Sequence, residues 1–167
     1  MPTTKRHTGQ HHREGASAEC RSPKKEGQDE AIGCGKGGLS TKIHATTDAL
    51  GNPTGFLLTP GQASDLEGAD ALLPDLKAQT LLADKAYDAD ERVLDPLQQA
   101  GKTAVIPPKR NRVVRRSHDQ ELYKERHLIE NFFCKLKQFR AIATRYDKTA
   151  RHFLAAIYLA STLIWLN

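Results

Sequence analysis

From Leu39 onward, short apolar runs of strand length alternate with segments in which apolar residues recur at three- and four-residue spacing. That alternation confines the chain to a mixed sheet with helices packed on its faces, because each strand and each amphipathic helix has an apolar side to bury. "LSTKIHATTDALG" (39–51) and "TGFLLTPG" (54–61) read as two strands joined at "GNP". "DLEGADALLPDL" is a helix started by Ser64 or Asp65, and "QTLLADKAYDAD" is a short apolar strand that breaks at Asp84. "ADERVLDPLQQAG" is a helix closing at Gly101, and "KTAVIPPK" a strand stopped by Pro107 and Pro108. A basic loop, "KRNRVVRRSH", precedes one long amphipathic helix, Glu121–Arg140, and a final helix covers 149–166. Residues 1–38 are Gly-rich and charged without periodicity and read as an arm or loop, leaving 39–167 as the folded domain.

At 167 residues the chain suffices for one domain or part of a larger one. Its net charge of +5 hides an asymmetry: residues 1–40 carry +2, residues 41–100 carry −6 and residues 101–167 carry +9. A basic surface beside an acidic segment suits a protein that attracts a polyanion and holds divalent cations, and it also suits a merely solvated charged face. Cys20, Cys34 and Cys134 are odd in number and lack CxxC spacing, so a reducing cytoplasm without disulfides or structural zinc is expected. "MPTTKRHTGQHHREG" has no apolar signal-peptide core, and the final apolar run is shorter than the ~20 residues of a membrane span. "GCGKGGLST" lacks both the Walker spacing and a preceding strand, which leaves a glycine-rich turn into a strand.

Two carboxylates occupy unusual positions. Glu130 sits between Ile129 and the pair Phe132 and Phe133, at the edge of the apolar face of its helix. On a regular helix Tyr123, Arg126, Glu130 and Lys137 fall within a stripe roughly 60° wide. Arg126 and Glu130 can form an i, i+4 ion pair worth only about 0.3–0.5 kcal/mol if exposed. Asp84 follows "TLLA", where the chain leaves an apolar strand; a turn or cap residue is common there, and so is a ligand site at the carboxyl end of a strand.

"LLADKAYDAD", "IPPKRNR" and "YKERHLIENFFCKLKQFRAIATRYDK" together resemble the catalytic domain of bacterial insertion-sequence transposases of the DDE class, in the insertion sequence five group. The likeness extends through "GGLSTKIHATTDALGNPTGFLLTPGQASD" and "FLAAIYLASTLIWL". Tyr123, two residues, Arg126, three residues, Glu130, six residues and Lys137 reproduce the family's Y-R-E-K signature. The resemblance implies a ribonuclease-H-like fold, magnesium (or manganese), DNA at the ends of an insertion element, and catalytic, metal-binding roles for Asp84 and Glu130. Two metal ions about 3.5–4 Å apart suit phosphodiester hydrolysis, and carboxylates from a strand end and a packed helix can meet around them. Arg126 and Lys137 can contact DNA phosphates, with Tyr123 in support.

The family places a first aspartate on its first strand, in a stretch resembling "DSTTVRAH"; this chain begins "MPTTKRH", with Pro2 near that position. Neither Asp29 nor Asp48 is a convincing substitute. The chain thus reads as the C-terminal portion of a transposase, its first strand truncated or missing. It is either a DNA-cleaving and strand-transferring enzyme once the missing acid is supplied, or an inactive DNA-binding or inhibitory remnant. Lys109, Arg110, Arg112, Arg115 and Arg116 read as DNA-backbone contacts, against the alternative of a solvated loop. His44 and His127 read as packing or surface residues. The partners expected are DNA and another copy, either of this chain or of an intact transposase, in the cytoplasm and on the nucleoid. Loss of a central first strand should leave the sheet aggregation-prone unless "PTTKRH" supplies a replacement.

Overall fold

The computed structural model describes residues 3–10, 31–35, 38–114 and 116–166. Its sheet is built around β3 (Gly38–Thr47), which is antiparallel both to β4 (Pro53–Pro60) and to β1 (Thr3–Gln10), while β2 (Gly33–Gly35) pairs with the first residues of β3. On its other side β1 runs parallel to β5 (Thr80–Ala83), and β5 runs parallel to β6 (Thr103–Val105). The strand order is therefore β4-β3-β1-β5-β6, with β1 at the centre.

Helices cover both faces. Along β3, alternate side chains point to opposite sides. Ile43 and Ala45, with Phe56 of β4, meet Ile129, Phe132, Phe133 and Leu136 of α4 (His127–Leu136), Ile142 of α5 (Arg140–Ala143) and Phe153, Ile157 and Ala160 of α6 (Ala150–Leu166). On the opposite face Leu81 and Ala83 of β5 join Ala69 of α1 (Asp65–Leu72) and Leu97 of α2 (Asp95–Gln99). A π-helical turn, Asp90–Leu94, leads into α2. Ser64 caps α1 in a capping box with Glu67, and Lys42 of β3 ties the helix down through Asp65 at 3.0 Å and the carbonyl of Ala63. Beneath α1 lies His44, fully buried and bonded to Thr59 Oγ1 (2.8 Å) and Tyr87 Oη (3.3 Å). Gly68 is the residue of α1 above it, where a Cβ would stand 2.3 Å from His44 Nδ1, so only glycine allows this approach.

Several expectations change here. Thr3–Gln10, read as part of an unstructured arm and as a missing first strand, forms the central strand, paired with β3 from Thr3↔Thr47 to Gln10↔Ser40. "TTKRHTGQ" has no apolar residue and so no alternation to signal a strand; its conformation is dictated by ladder partners on both sides. The long helix over Glu121–Arg140 is instead α3 (Gln120–Lys124), α4 and α5. At the first joint Glu125, Arg126 and Leu128 donate to carbonyls three residues back, and Gln138 and Phe139 do the same after α4. The five residues Tyr123–His127 present little to the core, so nothing enforces a continuous α-helical pitch there. Cys34 is disulfide-bonded, against the expectation of no bridge, and Cys134 is a free, exposed thiol. Chain spacing does not report which sulfurs the fold brings within reach. Among the described residues no helix is long and apolar enough to cross a membrane.

Candidate active site

Asp84 stands where β5 ends. Its backbone is still extended, and its side chain accepts from Ala86 N at 3.3 Å, capping the 3₁₀ turn Lys85–Tyr87. Because β1 and β5 are paired Thr4↔Ala83, the next residue of β1, level with Asp84, is Lys5. Glu130 projects from the first turn of α4, whose apolar side is held by Ile129, Phe132 and Phe133. Arg126 Nη1 lies 2.9 Å from Glu130 Oε1 in an i, i+4 ion pair, and Arg126 Nε is buried without an acceptor.

Tyr123 is within electrostatic reach of both carboxylates. The tight turn after α3 folds Arg126 back over its ring, 5.3 Å from the centroid, and His118 meets the ring edge-on at 5.5 Å. Burial pushes the Tyr123 phenol above its usual 10.0; the charge of Arg126 pulls it back, while Asp84 and Glu130 both push it up. Both carboxylates thus act on one phenol, which remains protonated at neutral pH. Lys137 is exposed at the C-cap of α4.

The basic loop arrives at the same turn. Asp88, the C-cap of the 3₁₀ turn that Asp84 begins, has a side chain only 1% exposed. It accepts from Lys109 N (2.8 Å), Arg112 Nη1 (2.5 Å) and Arg116 Nη2 (2.9 Å), and Arg112 also reaches Asp90. Burial raises the carboxyl's pKa, but these donors outweigh it and hold Asp88 below the usual 3.8. Arg112 and Arg116 are therefore turned onto an acid; Arg110 is exposed, and Arg115 lies outside the described residues. The sequence offers one hint of this arrangement, the four-residue spacing of Asp84 and Asp88, but not the burial that makes Asp88 an anchor. Asp48 is spent on its turn, accepting from Leu50 N, Asn52 N and Asn52 Nδ2, and Asp29 lies outside the described residues. His127 is exposed, with Nδ1 3.0 Å from the carbonyl of Lys124.

The family described as Transposase DDE domain matches residues 7–165. The chain belongs to the DDE transposase family. A curated relative from Brucella ovis (strain ATCC 25840 / 63/290 / NCTC 10512), a putative transposase for insertion sequence element IS6501, is 42% identical over 130 residues, covering 77% of this chain and 100% of the relative. No solved structure matches.

Transposase DDE domains generally use divalent metal ions. In this transposase domain the carboxylate oxygens of Asp84 and Glu130 suit a hard cation in kind. In number they fall short: among the described residues no three His, Cys, Asp or Glu side chains group as a metal site, and "TTKRHTGQ" contributes no carboxylate. The described residues do not complete a two-metal centre.

Proposed function

We propose that this chain is the strand-processing domain of an insertion-element transposase of the insertion sequence five group, with Asp84 and Glu130 as two of its carboxylates. The observation carrying this reading is that Asp84, at a strand end, and Glu130, on a helix with a packed apolar side, both push up the pKa of the same phenol, Tyr123. The order β4-β3-β1-β5-β6, with three antiparallel strands followed by two parallel to β1, supports a ribonuclease-H-like fold. Asp84 and Glu130 would be two of the residues holding magnesium or manganese, which would supply an activated water and charge neutralisation at the scissile phosphate. The protein's own residues bind and orient DNA: Lys109 and Arg110 along the loop, Lys137 at the end of α4, and Arg126, whose donors Glu130 does not fully use.

A second reading is favoured by the absence of a carboxylate from β1. In it the chain binds DNA without cutting it, as an inactive remnant or an inhibitor of an intact copy. The two separate on one comparison, made with magnesium or manganese and duplex DNA carrying the element ends. The purified chain should bind DNA without cleaving it, whereas Lys5→Asp, which places an acid level with Asp84, should tighten magnesium binding about tenfold by calorimetry. Cleavage by the unmodified chain would show that two carboxylates suffice. Unchanged metal affinity in Lys5→Asp would favour the non-catalytic reading.

A further inference from the structure

We propose that Asp88 is a positioning residue that withholds Arg112 and Arg116 from DNA, so that the basic loop touches phosphate through Lys109 and Arg110. The inference rests on the DNA-binding reading above and divides the labour within the loop. Three features of the structure carry it. Asp88 is almost wholly buried, and the three donors that satisfy it all come from the loop: one backbone N–H and two guanidinium groups. Arg112 is also held by Asp90, so neither of its terminal nitrogens is without an acid. Finally, Asp84 and Asp88 begin and end the same 3₁₀ turn, so the loop is fastened to the element that carries a proposed catalytic carboxylate.

The chemistry explains why these arginines stay on Asp88. A carboxylate that accepts several hydrogen bonds away from water cannot lose a cation without being left buried and unsatisfied, whereas an exposed phosphate that loses one is re-solvated at once. The fork shape of the guanidinium lets Arg112 bridge two acids, which a lysine could not do in one plane. Arg110 is exposed beside this clamp. The loop thereby has a fixed shape before DNA arrives, and its free charge is smaller than its composition suggests.

The test is the salt dependence of binding by the full chain to a fluorescently labelled duplex, followed by anisotropy. Each phosphate contact contributes about 0.9 to the slope of log K against log salt. Arg110→Gln should lower the slope by about 0.9, while Arg112→Gln and Arg116→Gln, made singly so that Asp88 keeps one arginine, should leave it unchanged. Asp88→Asn should release both arginines and steepen the slope by up to about 1.8, and adding Arg112→Gln and Arg116→Gln to it should restore the parent value. A merely structural Asp88 would weaken binding without that steepening and return. If Arg112→Gln or Arg116→Gln alone lowers the slope by about 0.9, the arginines contact phosphate in the parent and the proposal falls, with DNA binding intact. Binding by neither the parent nor Asp88→Asn would overturn the DNA-binding reading itself. Should Asp88→Asn fail to fold, the single arginine variants still decide.

Discussion

Tyr123 and Asp88 are the residues whose titration reports on the site. Burial first, and then the charges of Asp84 and Glu130, raise the Tyr123 phenol, so removing either charge should lower its pKa. We expect Asp84→Asn and Glu130→Gln each to shift the phenolate transition of Tyr123 downward, followed by ultraviolet absorbance against a Tyr123→Phe control. A shift in Glu130→Gln alone would mean that the two acids do not share a site. Asp88 behaves oppositely. Its folded pKa is depressed, so its contribution to stability is present above the unfolded value near 3.8 and is lost as pH falls through the lower folded value. Asp88→Asn should therefore cost about 2 kcal/mol at pH 7. The deficit should shrink toward zero below the usual carboxylate range in urea titrations at successive pH values. A deficit independent of pH would assign the loss to shape rather than charge.

Among the elements, α1 and the α3–α4 joint place the chemistry. The approach of α1 to the sheet depends on Gly68, since the His44 ring beneath it is pinned by Thr59 and Tyr87 and cannot swing aside. Gly68→Ala gains helix propensity but overpacks this contact, and we expect a net loss of about 1–3 kcal/mol in chemical denaturation. An unchanged or raised stability would show that His44 moves readily. At the α3–α4 joint, the three-residue hydrogen bonds of Glu125 and Arg126 tighten the turn in which Arg126 lies over the face of Tyr123. The Y-R-E-K spacing was legible in the sequence. The bend was not, because a tightened turn and an α-helical turn share the same residue spacing to within a fraction of a turn.

For the whole molecule, β1 decides whether the sheet holds together. It pairs with β3 along its full length and with β5 at Thr3 and Thr4, so its removal exposes one edge of each. A backbone group left buried and unpaired costs about 1–3 kcal/mol, against about 5–15 kcal/mol for a whole domain. With β1 in place we expect a cooperative thermal transition by circular dichroism. A variant lacking residues 1–10 should lose that transition and aggregate. If the shortened chain unfolds as sharply as the parent, β1 is dispensable and the sheet is held by its helices alone.

Strand and helix signals between Leu39 and Val105, the Ser64 cap and the positions of Asp84 and Glu130 were readable from residue order, since each depends on periodicity or on neighbours a few places away. Tertiary structure decided the rest. Strand β1 takes its conformation from partners some forty and eighty residues distant rather than from any pattern of its own. The inward turn of Arg112 and Arg116 depends on the burial of Asp88, more than twenty residues away in the chain. The same residue order would serve a solvated basic loop equally well; only desolvation of the acid makes the arginines obligatory partners, and desolvation exists only once the chain has folded.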